Sequence, residues 1–131
     1  MAVERHGAAM MLAIAAALSF QFPLSYLWNP QLYTIDQHVA AARAAMAKVP
    51  DGAQVATDLD LLAPLATRTD TYWLGNSATN PATTYVVFDT GSTDWQPPPR
   101  NVLNFVESLN RGVRYRQIYV NDGVYVFIRA G

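Results

Sequence analysis

A chain of 131 residues has room for one compact domain beyond any terminal segment, and nine Lys and Arg against ten Asp and Glu leave no basic field of the kind that nucleic-acid binding relies on. Nucleic acid is therefore excluded as an expected partner. The absence of cysteine excludes disulfides and thiolate metal sites, and two histidines as far apart as His6 and His38 argue against a zinc site, so neither a metal nor another cofactor is expected.

The first element is the stretch Gly7 to Trp28, GAAMMLAIAAALSFQFPLSYLW, which carries no charge and is interrupted only by Ser19, Gln21 and Ser25. As one helix it would cover roughly 30 Å, the thickness of a bilayer core, so residues 1–28 are predicted as a transmembrane helix with a short cytoplasmic amino end. A cleaved secretory signal is the main rival, with Ala15 and Ala17 before the cut. Against it stand Glu4 beside Arg5 and a run that continues to the interface-type aromatics Tyr26 and Trp28. A buried helix of a soluble protein is the third reading. Gln21 and the kink expected at Pro23 call for neighbouring helices, which makes other transmembrane helices of a larger protein expected partners. Arg5 precedes the stretch and no Lys or Arg follows until Arg43, which predicts a cell-membrane location with residues 29–131 outside the cytoplasm.

Residues 29–131 read as a small Rossmann-like α/β layer domain. Asn29 to Tyr33 form a turn, and Thr34 with Gln37 matches a capping box that starts a helix. Ile35, Val39, Ala42, Met46 and Val49 recur at helical spacing and define its apolar face, and His38 is read as a surface or cap-region residue. Pro50-Asp51-Gly52 ends the helix. A strand at 53–57 follows, then a short helix capped by Asp58, carrying Leu59, Leu61, Leu62 and Leu65 and limited by Pro64. A second strand spans 71–74, and residues 77–81 are a surface loop. The run Tyr85-Val86-Val87-Phe88 reads as a central parallel strand buried on both faces. Val102, Phe105, Val106 and Leu109 keep helical spacing before Gly112, and 115–120 and 124–129, joined by Asn121-Asp122-Gly123, carry a hairpin signal. The order predicts a mixed sheet whose last hairpin is the antiparallel edge.

The run Val49-Pro50-Asp51-Gly52-Ala53-Gln54-Val55-Ala56-Thr57, with Leu61-Leu62-Ala63-Pro64-Leu65, Arg68, the Asp-ended strand Tyr85 to Asp89 and the Tyr-rich hairpin Tyr115 to Arg129, resembles the carboxy-terminal part of a bacterial family of predicted polytopic membrane proteins, domain of unknown function 2079. That family often has a His where this chain has Leu65, and its members carry many membrane helices before this region. The resemblance implies a carboxy-terminal fragment or truncated member. Members of that family look distantly like polytopic glycosyltransferases that use lipid-linked sugars, so the chain is expected to be an accessory domain without chemistry of its own, with such a sugar as an expected partner. The catalytic carboxylates of those glycosyltransferases lie in an early extracytoplasmic loop with no counterpart here, so none is carried over.

Candidate sites remain. Phe88-Asp89-Thr90-Gly91-Ser92-Thr93 is similar to the active-site loop of aspartic proteases, in which two aspartates share a proton; with one copy in this chain, Asp89 could act so only in a homodimer. Otherwise Asp89 ends a buried strand in a tight turn. In an open α/β sheet the crevice at the carboxyl ends of parallel strands gathers Thr57, Asp58, Asn76, Asp89 and Asp94 as ligand-binding candidates, set against simpler roles for Asp58 as a cap and Asn76 as a turn residue. Arg68 could hold a phosphate or carboxylate, or pair with Asp70. Tyr72, Trp73, Tyr115, Tyr119 and Tyr125 could form a sugar-stacking surface, or pack a core. A singly anchored or secreted α/β binding domain is the third functional reading.

Overall fold

The computed structural model describes residues 2–21, 27–33, 35–77 and 79–131, which divide into two compact units, 1–35 and 36–131. In the first unit, helix α1 spans Ala2–Gln21 and a short 3-10 turn spans Pro30–Tyr33, with the Asn29 side chain accepting the Gln31 amide at 3.1 Å. The predicted transmembrane helix is not found: among the described residues, no helix is long and apolar enough to cross a membrane. The helix takes in Glu4 and Arg5, and the rest of its span is rich in alanine, which keeps its mean hydropathy low. The kink expected at Pro23 and the interface position of Tyr26 lie outside the described residues.

The second unit is a mixed α/β structure built on one five-stranded sheet. In chain order its elements are α2 (Gln37–Ala47), β1 (Gln54–Thr57), α3 (Leu59–Ala66), β2 (Asp70–Trp73), β3 (Tyr85–Asp89), α4 (Val102–Leu109), β4 (Tyr115–Asn121) and β5 (Val124–Arg129). The strands lie in the order β2-β1-β3-β5-β4. β1 pairs in parallel with both β2 and β3, while β5 is antiparallel to β3 and to β4. The hairpin thus closes the sheet as expected, with β5 inside and β4 on the edge.

Alternation along the strands separates two cores. Val55, Val87, Val124 and Val126 face α2 and α3 and pack with Ala41, Ala42, Ala45, Val49, Leu61 and Leu65. Ala56, Val86, Phe88 and Phe127 face the other way and pack with Leu74, Val102, Val106 and Tyr115, which places α4 on the opposite face. Three layers result, and β3, rich in β-branched and aromatic residues, is buried on both sides as its unbroken apolar run requires.

Helix α2 corrects the sequence reading. It starts at Gln37, with Asp36 at the cap position making no side-chain cap bond, and Thr34 of the expected capping box lies outside the described residues. Its buried face is Ala41, Ala42, Ala45 and, just past the helix, Val49, whereas the expected Ile35 and Val39 are 62% and 42% exposed. Small side chains win that face because they let the helix backbone lie close to the sheet; the Tyr119 hydroxyl of β4 reaches the Ala41 carbonyl at 3.2 Å. Two smaller differences follow the same logic of polar satisfaction. Helix α3 continues past Pro64 to Ala66, and Ser77, expected in a surface loop, is buried with its hydroxyl donating to the Leu109 carbonyl at 2.7 Å.

The turn between β4 and β5 has Asp122 at φ 46° and Gly123 at φ 77°, the left-handed pair of a tight hairpin. Gly123 is required twice over, because a Cβ there would also lie 2.3 Å from the Thr90 hydroxyl. Gly123→Ala is therefore expected to destabilise the protein by about 1–3 kcal/mol in urea unfolding, and Thr90→Ala in the same chain to restore part of that loss. A Gly123→Ala protein as stable as wild type would contradict this account of the turn.

Candidate functional site

β1 and β3 are parallel neighbours whose following connections leave on opposite faces: β1 runs into α3 on one side, and β3 runs by way of the 90–101 loop into α4 on the other. In an open sheet such a divergence opens a crevice beyond the strand ends. The carboxyl ends of β1, β2 and β3 carry Thr57 and Asp58, Trp73, and Asp89, respectively. The hairpin turn at Asp122 and the first turn of α2, with His38, close the same end.

Asp58 sits where a helix cap belongs but makes no cap bond. Its carboxylate is instead a bracket: Oδ2 accepts the Asp89 amide at 2.5 Å, and Oδ1 accepts the indole N–H of Trp95. Trp95 is placed for this by its ring, stacked on Phe88 at 5.5 Å and edge-on to Phe105 at 5.2 Å. The cap of α3 comes from elsewhere. Asp94 reaches over from the 90–101 loop so that its Oδ2 accepts the Leu59 amide at 2.9 Å and the Trp73 indole N–H at 3.1 Å. Ser92 starts that loop by accepting the Asp94 amide at 3.3 Å.

Asp89 is 5% exposed and fully engaged. Its Oδ1 accepts the Gly91 amide at 2.7 Å and its Oδ2 lies 2.8 Å from His38 Nε2. The other ring nitrogen of His38, Nδ1, lies 3.0 Å from the Asp122 carbonyl and 3.1 Å from its Oδ2. The hydrogen bond to Asp89 is the main cause that raises the His38 pKa above its ordinary 6.5, against a lowering by burial. Thr57 Oγ1 is buried at the end of β1 without a hydrogen-bond partner.

Of the residues singled out in the sequence, Asp58, Asp89 and Asp94 come together here, and Asn76 lies at the same end in the 3-10 turn Leu74–Asn76 that follows β2. Arg68 does not. It sits at the opposite end of the sheet, where its guanidinium holds the Val49 carbonyl at 2.6 Å, Asp51 at 2.9 Å and the Met46 carbonyl, closing the carboxyl end of α2 rather than pairing with Asp70. Tyr115 and Tyr119 spend their hydroxyls on the Thr83 and Ala41 carbonyls, and Tyr125 stacks on Phe127. Asp89 lies buried at the end of β3, bonded to His38 and to the Gly91 amide. The residues that sequence reasoning missed are His38 and Asp122. The available signal was spacing: His38 continues the face of Ala42, Ala45 and Val49.

Comparison with protein-family models, with curated proteins and with solved structures found no match. Among the described residues no cluster of His, Asp or Glu is arranged to hold a metal ion.

Burial is the first cause that pushes the Asp58 carboxyl up from 3.8 to about 7; the Trp95 and Asp89 N–H groups pull it back, and the charges of Asp89 and Asp94 raise it. A folded-state pKa raised above the unfolded value adds stability that is full below pH 3.8 and lost as pH rises through about 7. The advantage of wild type over Asp58→Asn in urea unfolding should accordingly shrink by the order of 3 kcal/mol from pH 4 to pH 8. An advantage that is constant or grows over that range would show that Asp58 is not a desolvated acid.

Proposed function

We propose that residues 36–131 form a binding domain with no chemistry of its own, and that it takes a sugar ring across the carboxyl ends of β1, β2 and β3. The observation that carries this reading is Trp73. The residue is 40% exposed at the end of β2, yet its indole N–H is tied to Asp94, and its ring lies so close to Gly75 that a Cβ there would come within 2.4 Å of it. An aromatic face held in one orientation loses little entropy on binding and suits the apolar C–H face of a pyranose, with carboxylate oxygens beside it to accept hydroxyl protons.

The state of the ionisable groups favours binding over catalysis. Both His38 nitrogens, both Asp58 oxygens and both Asp89 oxygens are engaged by protein groups, so none stands free as the base or nucleophile that an acid–base or covalent mechanism needs. The resemblance of residues 49–129 to the tail of domain of unknown function 2079, itself distantly similar to enzymes that use lipid-linked sugars, supports the same ligand class.

Saturation-transfer NMR of the whole chain with glucose, galactose, mannose and N-acetylglucosamine tests the reading. One or more is expected to bind at about 1 mM, the range of a shallow site, with at least about tenfold weaker binding in Trp73→Ala and none of that loss in Tyr125→Phe. No transfer from any of the four, or transfer unchanged in Trp73→Ala, would overturn it.

A further inference from the structure

His38 joins three segments that are distant in the chain: the first turn of α2, the end of β3 and the tip of the β4–β5 hairpin. All three of its partner atoms, Asp89 Oδ2, the Asp122 carbonyl oxygen and Asp122 Oδ2, are oxygens with lone pairs, at 2.8, 3.0 and 3.1 Å. A neutral imidazole has one N–H, so one of its nitrogens would turn a lone pair toward an oxygen; only the imidazolium donates on both sides. The charged groups facing the ring are Asp89 from β3 and Asp122 from the hairpin, and the next carboxylate inward is Asp58, behind the Asp89 amide. On its own helix the ring sits at the amino end, whose partial positive charge disfavours a cation, but two carboxylates in direct contact outweigh that distant half-charge.

We propose that His38 is a proton-operated clasp: as imidazolium it fastens the hairpin tip and the end of β3 to α2, and loss of its proton releases the tip and the loop that begins at Thr90. The release is directional. Asp89 is buried and also holds the Gly91 amide, whereas the Asp122 side chain is 41% exposed and can turn to water, so the neutral ring keeps Asp89 and lets Asp122 go. Asp122 is in the left-handed region, and the Gly123 carbonyl next to it receives both the amide and the hydroxyl of Thr90 at 3.0 Å. A shift of the tip therefore reaches the loop that carries Asp94 and Trp95. With the histidine pKa raised in the folded protein, the fastening is complete below pH 6.5 and is lost as pH rises through the raised value. The consequence for a ligand at the crevice rests on the binding reading above; the clasp itself does not.

The test uses the whole chain without ligand. Nitrogen-15 spectra of the His38 ring are expected to show both nitrogens protonated near pH 6 and a midpoint above 6.5. Hydrogen-exchange protection of the Thr90 and Gly91 amides, corrected for the intrinsic pH dependence, is expected to fall at least about tenfold as the ring deprotonates, while the Gly52 amide at the far end of the sheet keeps its protection. The step should persist in Asp58→Asn and vanish in His38→Gln. A midpoint at or below 6.5, protection at Thr90 and Gly91 that ignores pH, or a step that survives in His38→Gln would each overturn the clasp. The ring spectra need no variant, so a poorly folded His38→Gln protein would leave the first of these outcomes decisive.

Discussion

The structure around the crevice depends on a side chain that takes over where the sheet stops. β1 and β3 run side by side to Thr57 and Val87, and one residue later their paths part for opposite faces. The Asp89 amide would be left at that point without a backbone acceptor, and Asp58 supplies one, with its second oxygen on the Trp95 indole. A buried carboxylate is costly, which is why burial drives its pKa up. The cost is set against three gains from the same group: the two strand ends are joined, the loop after β3 is anchored, and Trp95 is seated on Phe88 and Phe105. Other contacts at this end build outward from there. Once Trp95 is fixed, its neighbour Asp94 can cap α3 and hold Trp73, and once the end of β3 is fixed, Asp89 can meet His38.

This arrangement bears on what the crevice can do. Four aspartates converge with one histidine, a composition that would suggest acid–base chemistry, yet the contacts are reciprocal and internal. Each oxygen of Asp58 and Asp89 and each ring nitrogen of His38 has a protein partner. Trp73 is 40% exposed at this end, with its indole N–H held by Asp94 Oδ2. The proposed sugar site rests on this aromatic ring, which Asp94 holds in place through the indole N–H.

How much of this could be read from the residues divides along a physical line. Elements set by local pattern came out close to their observed bounds: the buried run Tyr85 to Phe88, the helix Val102–Leu109, and the hairpin around Asn121-Asp122-Gly123 all carry their own periodicity or turn chemistry. The convergence of Asp58 and Asp89 is also legible, because a parallel sheet places strand ends together whatever the loops do, whereas that of Asp94 depends on the course of the loop after β3. The misses concern choices made by tertiary contact. Helical spacing picks out Ala42 and Val49 of the buried face of α2 but also Ile35 and Val39, whereas close packing on the sheet selects Ala41 and Ala45; a surface or cap-region place fits His38, and only tertiary contact shows its two aspartate partners. Asp58 was read as a cap because the position is right for one, but a carboxylate from the next loop does the capping. For Arg68 the alternatives are an anion or a nearby Asp; its partner is Asp51 rather than Asp70, and nothing local to it shows that the carbonyls of α2 end beside it. The expected membrane helix fails on apolarity, since the described helix takes in Glu4 and Arg5 and is otherwise rich in alanine.

The central claim is that a desolvated Asp58 carboxyl organises the crevice end of the sheet. Its most direct test is a carbon-13 titration of the Asp58 side-chain carboxyl, followed together with the Trp95 indole proton. The account predicts a midpoint at about 7, with the indole resonance shifting over the same pH range because the two groups share a hydrogen bond. A midpoint near 3.8 with an indole resonance that does not respond would contradict it.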